Sequence, residues 1–306
     1  MCSMMLKGCT LCLSVVALLL TAAARSTDIE EVEVAMPLRT FLPRWYKHSC
    51  GLNRECLAVH ERQHDPEDAF YAQDEEDEAA EQKYFSGTHA GIFVELGATD
   101  GELFSNTKFF EDHRGWRGLL IEPNLLEFEK IPAKRPNAIA VHAAICSQEQ
   151  LVHFVGKGAI IPMVGNSAGP LAGIWEFMTP EFKKQWFRKK AHELPADAEL
   201  VSCVPLGLVL EMFGIRHIDF LSLDVEGAEL EVLKTVNLTQ VSVDVLVVEM
   251  DGSNPGKDEA VRELLAANHF KQDKAMKNTK AGLRNEWFIG EMFSPKDSGA
   301  GGCPAA

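Results

Sequence analysis

From Tyr84 onward the apolar positions fall into short β-branched and aromatic runs separated by stretches of helical period. Ile92 to Leu96 reads as a strand covered on both faces, followed by a helix near Asn106 to His113, a strand at Gly118 to Ile121 and a helix near Leu125 to Ile131. Ala138 to Val141 and Leu151 to Val155 add shorter strands. Later come a strand from Ile218 to Leu223, an amphipathic helix from Glu226 to Val236 with Leu230 and Leu233 on one face, and a strong strand from Val241 to Val248. A helix from Asp258 to Ala267 and a last strand through Phe288 and Ile289 complete the series. Strands alternating with helices predict an α/β fold with a mostly parallel sheet and right-handed crossovers.

Two regions break this rhythm. Residues 156–200 begin with Gly156, Gly158, Gly165, Gly169 and Gly173 and continue through Trp175, Lys183, Lys184, Trp186 and Arg188. This insertion reads either as a lid that contacts an acceptor or as a surface excursion with a solvated basic face. Residues 25–83 read as a polar, acidic leader, and the acids at Asp74 to Glu78, with no Lys or Arg among them, as a solvated linker. The packed domain is expected at 84–293, with a frayed tail at 294–306.

At the start, Lys7, the apolar run Leu11 to Leu20 and Thr21-Ala22-Ala23-Ala24 predict a signal peptide over 1–24, or a signal anchor if it stays uncleaved. The expected location is the secretory pathway lumen (ER/Golgi) or outside the cell, with membrane contact only through an uncleaved leader. Beyond the leader, Cys50, Cys56, Cys146, Cys203 and Cys303 leave at least one cysteine unpaired within the chain, and Cys50 with Cys56 is the most local pairing. Asn237-Leu-Thr239 is an N-glycosylation sequon. His60-Glu-Arg-Gln-His64 fits a zinc-helix pattern, but Pro66 and the acidic run stop any helix there, so no metal site is expected. A formal net charge of -15 excludes general binding to nucleic-acid phosphates and favours a small-molecule, glycan or protein partner.

The chemistry lies where strands end. In an open α/β sheet, ligands bind outside the carboxyl ends of the strands, and here those ends carry acids: Glu95 with Asp100, Glu122, Asp224 with Glu226, and Glu249 with Asp251. Gly97 and Gly101 relax the backbone beside the first of them, as close approach by a ligand requires. Carboxylates at this turn repel a pyrophosphate, whereas a ribose diol with a cationic centre suits them. S-adenosylmethionine has those groups. Glu122, after the second strand, is placed to hold the ribose, and Asn124 caps the next helix.

Three blocks, Gly97-Ala-Thr-Asp-Gly-Glu-Leu-Phe-Ser-Asn-Thr107, Gly115-Trp-Arg-Gly-Leu-Leu-Ile-Glu-Pro-Asn124 and Ile218-Asp-Phe-Leu-Ser-Leu-Asp-Val-Glu-Gly-Ala-Glu-Leu-Glu-Val-Leu-Lys234, closely resemble the FkbM family of S-adenosylmethionine-dependent methyltransferases, and within it the Star-like eukaryotic branch. The resemblance implies a Rossmann-like methyltransferase fold with a mostly parallel seven-stranded sheet and helices on both faces. It also implies S-adenosyl-L-methionine at the carboxyl edge and an oxygen nucleophile as acceptor. Carried onto this chain, Glu95, Gly97, Asp100 and Gly101 form the first cofactor loop, Ser105 and Asn106 lie beside it, and Glu122 binds ribose. Asp224 and Glu226 face the transferring methyl, Asp224 as general base and Glu226 as second candidate or as a cofactor or metal contact. The competing role for Asp224 is an N-terminal helix cap.

Two departures stand out: Thr99 where the methyltransferase turn has glycine, and Glu249-Met250-Asp251 where the Star-like pattern has Glu-His-Asn. Two functions follow: O-methylation of a glycan or small metabolite in the secretory pathway, or a catalytically silent Star-like protein that binds protein cargo in ER/Golgi/endosomal trafficking. A glycosyl-nucleotide enzyme at the same sheet edge is a remote third, since no pyrophosphate-binding element is evident.

Overall fold

The computed structural model describes residues 69–155, 160–162, 168–170, 173–180, 183–184, 192–196, 198–250, 252, 254–276 and 285–294. The expected leader at 1–24, the Cys50 and Cys56 pair, the His60 to His64 motif, Asp251, Cys303 and nearly half of the 156–200 insertion lie outside these residues.

In chain order, the elements begin with helix α1 (Glu76–Ala80), which runs on into a wider π turn over Glu81–Phe85. Then come β1 (Ile92–Leu96), α2 (Lys108–Arg114), β2 (Arg117–Ile121), α3 (Leu125–Phe128), α4 (Ile131–Lys134) and β3 (Ala138–Val141). The middle of the chain forms β4 (Ala144–Ile145), β5 (Gln150–Val155), β6 (Ile160–Pro162), β7 (Ala168–Pro170), β8 (Gly173–Ile174) and β9 (Glu199–Val204). The last part holds α5 (Leu206–Met212), β10 (His217–Leu223), α6 (Glu229–Lys234), β11 (Ser242–Glu249), α7 (Pro255–Ala267), β12 (Phe270–Gln272) and β13 (Asn285–Gly290).

The main sheet has seven strands in the order β12-β13-β11-β10-β1-β2-β3. β13 is antiparallel to both its neighbours, while β11, β10, β1, β2 and β3 pair in parallel, giving the mostly parallel Rossmann-like sheet that was expected. Its central strands are buried on both faces because βαβ crossovers cover both sides. Aliphatic residues such as Leu96, Leu221, Leu246, Val232 and Val261 fill one face, and aromatics including Phe85, Phe93, Phe110, Trp116 and Phe220 fill the other.

β5 is a strand as expected, but it belongs to a second sheet ordered β4-β9-β5-β8. There Cys203 on β9 forms a disulfide with Cys146 just after β4, their Cα atoms 5.7 Å apart. Both cysteines are buried. Among the described residues no helix is long and apolar enough to cross a membrane.

The acidic segment is not a solvated linker. Packing begins at Ala69, and Asp74, Glu76 and Asp77 are buried. The Asp77 carboxylate accepts hydrogen bonds from the backbone N–H of Tyr71 (2.6 Å), Ala72 (3.3 Å) and Glu78 (2.9 Å), while Glu81 pairs with Arg114 at 2.7 Å. Tyr84 and Phe85 then enter the aromatic face. Burial of Glu76, Asp77 and Glu81 is offset because these carboxylates meet donors of the chain itself.

Candidate active site

β1 is the point where the strand order reverses: the chain leaves it toward β2 and β3 on one side and returns through β10 on the other. A crevice therefore opens at the carboxyl ends of β1 and β10. Gly97 and Ala98 donate their N–H groups to the Ile121 carbonyl (3.0 and 3.3 Å), and Asp224 N–H donates to the Leu96 carbonyl at 3.4 Å. These bonds extend the sheet into the loops.

Gly97 has φ +78°, and a Cβ there would sit 2.1 Å from the Asp224 carbonyl oxygen. Gly101 has φ +84°, and its Cβ would meet Arg135 Cγ at 2.8 Å. The neighbour that demands glycine at both positions is thus the chain itself, which corrects the expectation of a ligand pressed against these two residues.

Glu95 is buried and accepts from Ser105 Oγ (2.9 Å), Asn106 N–H (2.8 Å) and Thr107 Oγ1 (2.6 Å). Arg135, also fully buried, lies 3.6 Å from the same carboxylate and donates to Glu111 (2.5 Å), the Gly101 carbonyl (3.0 Å), Ser105 (3.0 Å) and Thr107 (2.9 Å). Asn106 Nδ2 donates to Ser222 Oγ at 2.9 Å. Asp100 accepts from the N–H groups of Glu102 and Leu103 and pairs with Lys134 at 2.5 Å. The hydrogen bonds and ion pair of Asp100 hold its carboxyl below the usual carboxylate range against the opposing effect of burial. Glu95, Asp100, Gly101 and Ser105 therefore form the frame of the loop.

Glu122 is different. It is buried and accepts Thr99 N–H at 2.8 Å and Asn124 N–H at 2.7 Å. Burial pushes its carboxyl up to about 8, with Glu127 adding to the rise and the two N–H bonds opposing it. Thr99 adopts φ +46°, so the position where related turns have glycine keeps the left-handed backbone and spends it on aiming an N–H at Glu122. Asn124 caps α3, as expected, by accepting from Leu126 N–H at 3.1 Å.

At the end of β10 the expected helix over Glu226 to Val236 starts only at Glu229. Glu226 (φ +54°) and Gly227 (φ +101°) hold the intervening turn in left-handed backbone. Glu229, fully buried, ties this turn by accepting from Gly227 N–H (2.9 Å) and Val225 N–H (3.4 Å) while paired with Lys257.

Asp224 lies four residues before the N-cap position, Ala228, and so does not cap this helix; its carboxylate accepts Glu226 N–H within the turn. Asp224 is exposed at the carboxyl end of β10, with protein packed around its inner side only. Burial pushes both Asp224 and Glu249 up, and a hydrogen bond joins the two carboxyls. The two carboxyls share this bond and titrate as a pair, both held above the usual carboxylate range. Glu229 and Glu76 push Asp224 further up, and Glu226 does the same to Glu249. Glu76 reaches this field from the acidic segment, positioned by Asn285 Nδ2 at 2.5 Å.

Glu76, Glu229, Glu249 and Lys257 were absent from the sequence-based site. The signal for Glu249 was its strand-end position; the other three depend on long-range packing that no local pattern carries.

The site fits a nucleoside cofactor with a positive centre. A buried acid one strand away from β1 can accept from a diol, and a carboxylate-rich cleft on the opposite side of β1 can face a cation.

Comparison with known proteins adds the following. No curated protein sequence matches the chain. It is similar to the FkbM methyltransferase of Methylobacillus flagellatus (11% identity, TM-score 0.41), over 65% of this chain but only 43% of that one. It is also similar to Aeropyrum pernix fibrillarin in complex with S-adenosyl-L-methionine (11% identity, TM-score 0.36, 72% and 74% of the two chains) and to an O-methyltransferase from Bacillus cereus in complex with S-adenosylhomocysteine (10% identity, TM-score 0.36, 70% and 77%). The sequence profile of the methyltransferase FkbM domain matches residues 95–272, more than half of the 306 residues, and the chain belongs to that family.

Proposed function

We propose that this protein is an S-adenosylmethionine-dependent O-methyltransferase acting on a hydroxyl of a glycan or small metabolite in the secretory pathway. The observation that carries the reading is the hydrogen-bonded carboxyl pair Asp224 and Glu249 at the carboxyl ends of β10 and β11, across β1 from the buried acid Glu122.

When bound, S-adenosylmethionine supplies an electrophilic methyl on a sulfonium. Glu122 accepts the ribose hydroxyls. The loop framed by Glu95, Asp100 and Arg135 fixes the floor of the crevice, so that positioning contributes most of the rate. Asp224 takes the proton from the acceptor oxygen as that oxygen attacks the methyl carbon, and the hydrogen bond shared with Glu249 orients the Asp224 carboxylate. Glu226 and Glu229 add negative potential that favours a positive centre in the cleft.

A cargo-binding, silent relative of the Star-like branch is the second reading. It draws support from Glu95 and Asp100, whose hydrogen bonds all run into the protein's own loop.

Calorimetry with S-adenosylmethionine and S-adenosylhomocysteine on the full chain separates the readings. Binding of both, with Asp224→Asn retaining binding but losing roughly 100-fold or more of S-adenosylhomocysteine release from hydroxylated acceptors, is the expected result. Failure of the unaltered protein to bind either ligand removes the enzyme reading and leaves the second.

A further inference from the structure

At the opposite, amino edge of the main sheet, three side chains converge outside the methyl-transfer cleft. His217 and Asp219 lie on one face of β10, and Asp244 lies on β11 one step along the register from Ser242, the partner of His217. One ligand atom from each falls within 4.8 Å of the others, the only such group of three among the described residues.

The geometry is not that of a plain ion pair. His217 Nε2 is 3.5 Å from Asp219 Oδ1 and 3.5 Å from Asp244 Oδ2. A charge-assisted N–H···O bond closes to about 2.7–2.9 Å. Two ligand atoms of a tetrahedral zinc ion, each about 2.1 Å from the metal, are held roughly 3.4 Å apart. The two His217 separations are close to that ligand-to-ligand spacing, and the third falls within 4.8 Å.

The outer contacts also orient the ligands. The Ser242 hydroxyl donates to the Arg216 carbonyl at 3.3 Å, so its oxygen accepts from His217 Nδ1–H at 2.9 Å. That fixes Nε2 toward the two carboxylates. Asp219 Oδ2 accepts Ile92 N–H at 2.7 Å and leaves Oδ1 for the cluster. Second contacts of this kind set ring tautomer and ligand direction in metal sites.

We propose that His217, Asp219 and Asp244 form a site for a divalent transition ion of the zinc type, with solvent completing the coordination. Imidazole with two carboxylates suits such an ion better than magnesium or calcium, which take all-oxygen shells. Through Asp219 and Ile92 the ion would tie together the amino ends of β1, β10 and β11. This inference is independent of the methyltransferase reading.

The test is zinc titration of the full chain after chelator treatment, in a His60→Ala, His64→Ala background that removes the other paired imidazoles. One equivalent of zinc should bind and raise the melting temperature by about 5 °C at saturating metal. His217→Ala and Asp244→Asn should each weaken binding more than tenfold, and Ser242→Ala, which leaves all three ligands in place, about tenfold. Cobalt in place of zinc should give the visible absorption of a tetrahedral centre. Zinc binding unchanged in His217→Ala, or no stoichiometric binding by a folded parent protein, overturns the proposal and leaves the three side chains as an ion-paired cluster.

Discussion

Replacing Glu122 by Gln should destroy cofactor binding and make the stability of the ligand-free variant relative to the parent rise with pH, and that pH dependence identifies its cause. Burial raises the Glu122 carboxyl from 4.5 to about 8. A carboxyl raised on folding stabilises the fold fully only below its unfolded value, and that contribution is lost as pH rises from about 4.5 through 8. At about 1.36 kcal/mol per unit, the loss is under 1 kcal/mol at pH 5, about 3 kcal/mol at pH 7 and between 4 and 5 kcal/mol, approximately, at pH 9.

Glutamine is close to the neutral acid in shape and does not titrate. It sets one amide N–H against the donors of Thr99 or Asn124, a fixed cost of about 1–3 kcal/mol at every pH. The stability difference between Glu122→Gln and the parent should therefore rise by about 4 kcal/mol from pH 5 to pH 9, whatever its starting value. Urea unfolding at pH 5, 7 and 9 measures it, since all other titrating groups are shared and cancel. A difference flat to within about 1 kcal/mol would show that Glu122 carries no desolvation burden. The same carboxyl makes a ligand prediction: S-adenosylhomocysteine affinity of the parent should strengthen toward pH 8 by up to about tenfold per unit and level off above it. A flat profile would remove Glu122 from ribose binding.

Three further outcomes follow from packing. Gly97→Ala should cost about 2 kcal/mol or more, seen as a lower melting temperature, because the added Cβ meets the Asp224 carbonyl and the backbone is left-handed; a neutral effect would mean that this approach is not maintained in solution. Arg135→Leu should cost about 3–5 kcal/mol, since Glu111 and Glu95 lose their buried cation, and restoring stability by adding Glu111→Leu would confirm the pairing. Reducing the Cys146–Cys203 bridge, which spans a separation of 57 residues, should cost up to about 4 kcal/mol, and unchanged unfolding with and without reductant would refute the bridge.

The main strands were legible because each is an unbroken apolar run covered on both faces; β10 and β11 differ from their expected ranges by a single residue at an end. Helix starts were less legible. The helix expected from Glu226 begins at Glu229 because Glu226 and Gly227 are held at positive φ by Glu229, whose cation, Lys257, lies 28 residues further on. The acidic segment misled for a similar reason. Its charge is visible along the chain, but its partners are the backbone of a neighbouring turn and an arginine 33 residues downstream. Composition counts charges and does not see donors.

The strand-end acids, alike in sequence, thus separate by what neutralises them. Glu95 meets Arg135, Asp100 meets Lys134, and Glu229 meets Lys257, so these three are complete without a ligand. On Glu122, Asp224 and Glu249 the dominant influence is burial, opposed by backbone N–H groups at Glu122 and Asp224 and reinforced by other carboxylates. Holding acids in this state costs folding free energy, and the fold has the means to avoid it, as its own arginine and lysine pairs demonstrate. Acids left raised at a sheet crevice are the ones that gain from an incoming donor or cation. That physical difference, rather than the presence of a carboxylate at a motif position, is what supports the roles proposed for Glu122, Asp224 and Glu249.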